Sequence, residues 1–225
     1  EKCMRVNVTG THNVVAAAQR AGVKWMIYAS SREVYGAAET LPVSEDTPLI
    51  PVNVYGQSKL DAENLVISAR QSGLNTAICR FSNVYGSTDD HPDRVIPAFT
   101  YAAAHGETIR VEGQDNIFDF NHVTDTANGI ALAVDALNLN EQLPPIHFVS
   151  GRGTSLKELA SICVGMGKSY TKIEQHPPRK YDVDRFTGDP TRAESILGWK
   201  RTVSLEDGLK DMITRWSAEK QKRTA

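Results

Sequence analysis

Apolar residues follow two alternating patterns in the first third of the chain, one typical of helices and one typical of buried strands. Apolar positions three or four residues apart predict a helix over residues 6–21, ended by Gly22. The nearly unbroken apolar run over residues 23–29 predicts a buried strand. The same order repeats in a helix over residues 54–72 and a strand over residues 75–81. Helices that alternate with buried strands predict a parallel sheet covered on both faces.

The rest of the chain carries similar signals at looser spacing. Residues 30–53 hold Pro42, Pro48 and Pro51 among polar residues, which predicts a long loop of the kind that often carries function. Further periodicity predicts helices over residues 95–105, 123–137 and 155–166, strands over residues 108–111 and 146–150, and a last helix from about Leu205. The predicted fold class is α/β, a doubly wound parallel sheet with a smaller C-terminal α/β region.

Composition and charge argue against several classes of protein. The 25 Lys and Arg residues against 27 Asp and Glu give a formal charge of -2, so we expect no nucleic-acid partner. No apolar run approaches the roughly 18 residues that a membrane span requires, so we expect no membrane partner. The cysteines at positions 3, 79 and 163 are far apart and lack Cys/His pairing, which predicts neither a disulfide framework nor a metal site. This cysteine usage favours a reducing, cytoplasmic setting.

A phenol and an ammonium group lie one helical turn apart in the second predicted helix. Tyr55 and Lys59 are four residues apart, so they share one face of the helix near its N-terminal end. Alone, this pair is as well explained by a solvated helix face. Upstream, however, the first predicted strand leads into Ser30 and Ser31, and ligands bind at the carboxyl ends of parallel strands in this fold class. The two hydroxyls, the phenol and the ammonium are therefore candidate site residues.

Five sequence motifs support a more specific prediction. In chain order they are NVTGT at residues 7–11 with Asn13, YASSREVYG at 28–36, YGQSK at 55–59, RFSNVYG at 80–86 and GDPTRAESILGW at 188–199. Through these motifs, which span almost the whole chain, the sequence resembles the extended short-chain dehydrogenase/reductase family. It is most similar to the nucleotide-sugar epimerases and dehydratases of that family, of the UDP-glucose 4-epimerase type. The resemblance implies a Rossmann-like fold, NAD as the cofactor with NADP left open, and a nucleotide-sugar substrate.

The resemblance also implies roles for individual residues. Tyr55 matches the catalytic acid/base of the family, Ser31 the catalytic Ser/Thr, and Lys59 the partner of the tyrosine. The implied cofactor-binding residues are Asn7, Ala29, Ser30, Ser31, Tyr55, Lys59, Phe81 and Ser82. The implied substrate-binding residues are Ser31, Glu33, Tyr55, Asn83, Arg94, Arg110 and Arg179.

The implied role of Tyr55 requires help from a positive charge. A phenol has a pKa near 10, so its use as a base near neutral pH costs about 4 kcal/mol. A cation at ~4 Å in an effective dielectric constant near 20 contributes about 4 kcal/mol. We therefore expect Lys59 to lower the pKa of Tyr55.

Three departures from the family pattern limit the resemblance. The glycine-rich G-x-x-G-x-x-G turn that holds the cofactor pyrophosphate in relatives does not occur in this sequence, which therefore reads as N-terminally truncated and is expected to bind NAD poorly by itself. Phe118 stands where most relatives carry an Arg that pairs with the nucleotide diphosphate. Arg32 stands where the 4,6-dehydratases carry an Asp, and a guanidinium cannot protonate a leaving hydroxyl, which favours an epimerase.

The resemblance suggests how the chain is divided and leaves several functions open. Residues 1–86 correspond to the second part of the NAD-binding domain with the catalytic residues, and residues 87–225 mainly to the substrate-binding region, with about 120–150 returning to the NAD-binding domain. The leading hypothesis is NAD-dependent 4-epimerisation of a nucleotide sugar. The alternatives are a 4,6-dehydratase or reductase of the same family and a non-catalytic binding module. Relatives dimerise through two helices, which implies a homodimer of the full-length protein.

Overall fold

The structure is a computed structural model that describes residues 1–140, 142–178 and 183–223. Its helices are α1 (Lys2–Met4), α2 (Gly10–Arg20), α3 (Val54–Ala69), α4 (Val95–His105), α5 (Val123–Asn138), α6 (Leu156–Met166), α7 (Thr191–Leu197) and α8 (Leu205–Arg223). A π-helical turn, Arg5–Thr9, joins α1 to α2, and 3-10 turns lie at Arg32–Tyr35 and Arg70–Ser72. The strands are β1 (Trp25–Ser31), β2 (Asn75–Phe81), β3 (Asn83–Tyr85), β4 (Ile109–Glu112), β5 (Ile117–His122), β6 (Ile146–Phe148), β7 (Gly153–Ser155) and β8 (Ile173–His176).

A parallel sheet in the order β1-β2-β6 positions the predicted chemistry. The central strand β2 pairs with β1 from Trp25↔Asn75 to Ser31↔Phe81, so both strands end at the same edge. The predicted strand over residues 75–81 is confirmed. The strand predicted over residues 23–29 begins two residues later and is half-buried, because β1 bonds to β2 alone within the described residues.

Helices cover this sheet on both faces. On one face, Val15 of α2 and Val66 of α3 pack with Ile78 of β2. On the other face, α5, α7 and the residues directly after α7 bury a second apolar cluster that includes Ala133, Ala193 and Trp199. Since a parallel sheet carries helices on both sides, the predicted doubly wound α/β class is confirmed.

The C-terminal region has its own apolar core, formed mainly by α4, α6 and α8. Two small sheets accompany it, one in the order β3-β5-β7 and one that pairs β4 with β8. The sequence pattern predicted helices at α4, α5 and α6 correctly to within one residue, and Leu205 begins α8 as expected. It missed β3, β5, β7, β8 and α7.

The missed strands are short or carry buried polar residues. In β5, Phe118 and Phe120 alternate with Asp119 and Asn121, but the alternation is only four residues long and both polar residues are fully buried, so it does not separate a buried face from a solvent face. At α6, Ser155 Oγ accepts from the Glu158 amide at 3.1 Å, but the Glu158 carboxylate pairs with Arg152. The Ser155 cap is therefore present, but the Glu158 side chain does not complete a capping box.

The division of the chain into two regions at residue 86 stays a prediction.

Candidate active site

Two short turns bring Ser31, Tyr55 and Lys59 together at the carboxyl edge of the parallel sheet. Ser31 is the last residue of β1, and its Oγ accepts from the Glu33 amide at 3.3 Å to begin the 3-10 turn. Asn53 begins α3 in the same way, because its Oδ1 accepts from the Gly56 amide at 2.7 Å. Tyr55 follows in the first turn of α3, and Lys59 lies one turn later.

The start of α3 approaches the 3-10 turn very closely at Gly56. A Cβ atom at this position would lie 2.3 Å from the backbone oxygen of Glu33 and 3.0 Å from the Pro51 Cβ. Backbone atoms cannot move aside as a flexible side chain can, so glycine is required here for close packing. This contact fixes the distance between the segment after Ser31 and the helix that carries Tyr55.

We expect Gly56→Ala to lower the free energy of unfolding by about 1–3 kcal/mol, since overpacking displaces neighbouring backbone. Chemical denaturation followed by circular dichroism measures this change. Gly165→Ala is the matched control, because Gly165 also lies in a helix and its added Cβ would meet nothing within 4 Å. The control should be neutral or stabilising through higher helix propensity. Equal effects at the two glycines would contradict the close-packing argument.

Lys59 points toward the end of β1. Its Nζ donates to the Ala29 carbonyl at 2.8 Å and lies 5.1 Å from the centroid of the Tyr28 ring. The centroid of the Tyr55 ring is farther away, at 5.8 Å. Partial burial lowers the pKa of Lys59, while Cys3 and Glu63 act in the opposite direction.

The expectation that Lys59 lowers the pKa of Tyr55 is wrong for this structure. The pKa of Tyr55 is raised, first because burial disfavours the phenolate, and further by the charges of Glu33 and Cys3. A hydrogen bond with Ser31 and the charge of Arg94 lower it, but they do not outweigh burial. The ammonium of Lys59 bonds to the Ala29 carbonyl, and its charge is not among the main influences on the pKa of Tyr55. Ser31 is thus the side chain that most directly favours a Tyr55 phenolate here.

The carboxylate of Glu33 is held on both oxygens. Its Oε1 lies 2.9 Å from Nη2 of Arg32, and its Oε2 accepts from Asn53 Nδ2 at 2.8 Å. The Arg32 guanidinium also lies 5.0 Å from the Phe118 ring centroid and 5.6 Å from that of Phe186, as in cation–π contacts. Glu33 is therefore an ion-pair partner of Arg32.

A cleft of about 1050 Å³ opens beside these residues, between the end of the parallel sheet and the C-terminal region. Six of the seven predicted substrate-binding residues line it, namely Ser31, Glu33, Tyr55, Asn83, Arg94 and Arg110. The seventh, Arg179, lies outside the described residues. Arg32 and Phe118, the two departures from the family pattern, line the same cleft. A volume of this size suits a ligand larger than a monosaccharide.

The predicted cofactor-binding residues differ in what they can offer a ligand. Ser82 lines the cleft, with its Oγ bonded to the Asp119 carbonyl at 2.5 Å. Asn7 donates to Ser58 Oγ at 2.8 Å, and Ser58 in turn donates to the Tyr55 carbonyl at 2.7 Å. Ala29 is exposed and holds Lys59 through its carbonyl.

Two of these residues use their side chains in packing within the protein, and their predicted contact with a cofactor stays a prediction. The Ser30 side chain is buried and donates to Glu63 Oε1, so its hydroxyl faces the interior. Phe81 stacks on Phe148 with ring centroids 6.2 Å apart, so its ring belongs to the sheet packing. A contact from Ser30 would therefore come from its backbone, whereas Phe81 is only partly buried.

Sequence reasoning missed Asn53 as a site residue. It both caps α3 and holds Glu33. A signal was available, since an Asn directly before a predicted helix is a typical N-cap. Among the described residues, no cluster of three or more His, Cys, Asp or Glu side chains is arranged to hold a metal ion. The described helices also include none that is long and apolar enough to cross a membrane.

Comparisons with known proteins identify the relatives of this chain. The profile of the family described as GDP-mannose 4,6 dehydratase matches residues 1–212. UDP-glucuronic acid decarboxylase 1 of Danio rerio is 30% identical over 97% of this chain and 53% of its own length. The chain spans 53% of that relative and 62% of the dTDP-glucose 4,6-dehydratase of Streptomyces griseus, which is 32% identical over 92% of this chain.

The solved structure of UDP-glucose 4-epimerase from Thermotoga maritima with UDP-glucose superposes with a TM-score of 0.88 at 28% identity. The superposition covers 97% of this chain and 71% of that structure. Because the family profile matches nearly all of the chain and the relatives share its fold, the chain belongs to the GDP-mannose 4,6-dehydratase family of extended short-chain dehydrogenases/reductases, which comprises NAD-dependent nucleotide-sugar epimerases and dehydratases.

Proposed function

We propose that this chain forms the catalytic and substrate-binding part of an NAD-dependent nucleotide-sugar 4-epimerase. The observation that carries the proposal is that Ser31 and Tyr55 line one cleft with Arg94 and Arg110, while Lys59 lies one helical turn after Tyr55, bonded to the end of β1. A solved relative supports NAD and a nucleotide sugar as the ligands. MoeE5, which is 29% identical to this chain and superposes with a TM-score of 0.86, was solved in complex with UDP-glucose and NAD.

The residues at the sheet edge fit the nicotinamide end of NAD. The Lys59 ammonium has three donors, of which one goes to Ala29, and donors of this kind suit ribose hydroxyls. When bound, NAD supplies hydride transfer to and from the sugar carbon. The site lies at the carboxyl ends of parallel strands, where dinucleotides bind in this fold class.

The chain's own residues move the proton and orient the sugar. In its phenolate form, Tyr55 would accept the proton of the sugar C4 hydroxyl, bound NAD would supply the acceptor for the hydride on C4, and Ser31 would donate a hydrogen bond to the C4 oxygen. The ketone then turns its other face within the cleft. Return of the hydride and of the Tyr55 proton yields the 4-epimer, so the reaction consumes no net oxidant or reductant.

The pairing of Glu33 favours epimerisation over elimination of water. A dehydratase needs a side chain that can give a proton to the leaving hydroxyl. Both oxygens of Glu33 are engaged, by Arg32 and Asn53, and the guanidinium of Arg32 is always protonated. This observation supports the epimerase over the 4,6-dehydratase.

Turnover of the NAD-loaded protein with UDP-glucose tests the proposal. We expect NMR to detect the 4-epimer without accumulation of reduced nicotinamide. A 4-keto-6-deoxy sugar product would instead indicate a dehydratase, and stoichiometric reduction of NAD would indicate a net oxidoreductase. Absence of turnover with every nucleotide sugar, in protein that is shown to hold NAD, would favour the non-catalytic binding module.

Arg110 provides a separate test of nucleotide-sugar binding. We expect Arg110→Gln to weaken UDP binding by about tenfold, because a guanidinium–phosphate contact contributes on the order of 1.4 kcal/mol. Arg94 already pairs with Asp90 at 3.5 Å, so Arg94→Gln should have a smaller effect. Isothermal titration calorimetry measures both, with Arg20→Gln, at the exposed end of α2, as the control. Unchanged affinity in Arg110→Gln would remove Arg110 from the diphosphate site.

We also propose that the protein is a homodimer and that it is cytoplasmic. Val14 of α2 and Ile67 of α3 are exposed apolar residues on the two helices that the family resemblance assigns to a homodimer interface. The three cysteines are unpaired, which fits a reducing cytoplasm. Analytical ultracentrifugation of the full-length protein tests the dimer.

A further inference from the structure

A buried ion pair lies directly beneath the candidate catalytic residues. Arg80 of β2 donates to Glu63 of α3 through two bonds, Nε to Oε1 at 3.0 Å and Nη2 to Oε2 at 2.7 Å. The exposed fractions of the two residues are 3% and 1%. Ser30 of β1 donates to Glu63 Oε1 at 2.5 Å. One carboxylate therefore bonds to two adjacent strands of the sheet.

The Glu63 carboxylate lies on the helix that carries Tyr55 and Lys59 and bonds to the residue that precedes Ser31. Glu63 lies one turn after Lys59 and two turns after Tyr55, on the same face of α3. Ser30 immediately precedes Ser31, and because side chains alternate along a strand, Ser30 points inward where Ser31 points toward the cleft. Glu63 thus joins the helix that carries the phenol and the ammonium to the strand that carries the hydroxyl.

Stability alone does not explain a buried ion pair at this place. Desolvation of two charges offsets most of their attraction, and well-packed apolar residues of similar volume often give equal or greater stability. Arg80 is held further, since its Nη1 donates to the Tyr35 hydroxyl at 2.6 Å and to the Glu45 carbonyl at 3.1 Å. The guanidinium therefore has a fixed position and directs the Glu63 carboxylate toward Ser30.

We propose that Glu63, held by Arg80, is a positioning residue that sets the distance between Ser31 and Tyr55. It touches neither substrate nor cofactor and acts through Ser30 and through α3. Its charge also opposes the decrease in the pKa of Lys59 that burial causes. The catalytic importance of the distance between Ser31 and Tyr55 rests on the proposed epimerase function, but the interaction between the two side chains can be measured without ligands.

The test reads the interaction between Ser31 and Tyr55 in the ligand-free protein. The pKa of Tyr55 is measured by ¹³C NMR with ring-labelled tyrosine, with and without Ser31→Ala. Because the Ser31 hydrogen bond lowers the pKa of Tyr55, Ser31→Ala should raise it. In a Glu63→Gln background, we expect the increase in the Tyr55 pKa caused by Ser31→Ala to be about half as large or smaller. Comparison of the two single variants with the double variant, a double-mutant cycle, measures this difference.

Asp125→Asn supplies the matched control for a merely structural effect. Asp125 is also 1% exposed, and its carboxylate accepts from the amides of Thr202 and Val203, none of which lines the cleft. The Ser31 effect should survive intact in that background, even at equal loss of stability. Its full retention in Glu63→Gln, or its equal loss in Asp125→Asn, would overturn the proposal.

A milder variant serves if Glu63→Gln does not fold. Ser30→Ala removes only the hydrogen bond from β1 to Glu63 and leaves the ion pair between Glu63 and Arg80 in place. It should also reduce the effect of Ser31→Ala on the pKa of Tyr55. Full retention of the Ser31 effect in Ser30→Ala would likewise overturn the proposal. Since no step of this test uses turnover, a failed epimerase assay and a failed positioning test are distinguishable.

Discussion

Tyr55→Phe is expected to lower kcat of the NAD-loaded protein by roughly 10²–10⁴-fold, the usual contribution of a positioned acid or base. The phenylalanine keeps the ring in the first turn of α3, but it has no oxygen to accept the sugar proton. Since the cleft keeps its lining, KM should change little. Steady-state kinetics over a range of nucleotide-sugar concentrations separates the two parameters.

Tyr101→Phe is the matched control for this substitution. Tyr101 also lies in a helix and is 41% exposed, compared with 44% for Tyr55. Its ring stacks on His105 at a centroid distance of 4.1 Å, a contact that phenylalanine retains. The control should keep normal turnover. If Tyr55→Phe keeps it as well, Tyr55 is not the acid/base and the proposed chemistry fails.

The pH dependence of turnover provides an internal check on the role of Tyr55. Because burial raises the pKa of Tyr55, the phenolate fraction in the ligand-free protein is small at neutral pH. We therefore expect kcat/KM to increase with pH on the alkaline side, until the phenol ionises or Lys59 loses its proton. Ser31→Ala should displace this rise to higher pH, since Ser31 favours the phenolate.

Sequence periodicity predicted the elements whose residues are buried on one regular face. The strand Asn75–Phe81 and the helix Val95–His105 were predicted with their observed bounds, because continuous apolar runs and helical spacing coincide with burial there. β5 was missed for the opposite reason. Its buried Asp119 is satisfied by the amides of Ser150, Gly151 and Gly188, which are distant in sequence, and no local pattern reports such partners.

The candidate site shows the same division. Motif order was sufficient to propose Ser31, Tyr55 and Lys59, since each lies in a short motif at a fixed place in the chain. Motif order could not predict the direction of the Lys59 side chain, because that direction depends on the Ala29 carbonyl, thirty positions away. The inward turn of Ser30 likewise depends on Glu63 and becomes visible only when the strand and the helix are packed.

Asp119 is the residue whose replacement should cost the most stability. Its Oδ1 accepts from the Ser150 amide at 2.7 Å, and its Oδ2 accepts from the amides of Gly151 at 2.9 Å and Gly188 at 3.3 Å. Asp119 is fully buried, so these amides depend on it for their hydrogen bonds. The carboxylate thereby joins β5 to two loops that are distant in sequence.

We expect Asp119→Asn to lower the free energy of unfolding by about 2–4 kcal/mol near neutral pH. The amide group keeps one acceptor oxygen and places a second donor against a backbone N–H, and a hydrogen bond to a charged group contributes about 1.5–3 kcal/mol. Urea denaturation measures the difference. Asp115→Asn, in the exposed turn before β5, is the control and should change stability by less than about 0.5 kcal/mol. Equal stability of the Asp119 and Asp115 variants would contradict this account.

The stability difference between the wild-type protein and Asp119→Asn should also depend on pH. Burial raises the pKa of Asp119 from 3.8 to about 6, although the amides of Ser150, Gly188 and Gly151 act against this increase. A carboxyl group with a raised pKa gives its full contribution to stability below pH 3.8 and loses part of it as the pH rises through about 6. The wild-type advantage over Asp119→Asn should therefore be larger at pH 4 than at pH 7. A gap that widens with pH would mean that the three amides outweigh burial, and that the folded protein prefers the ionised carboxylate.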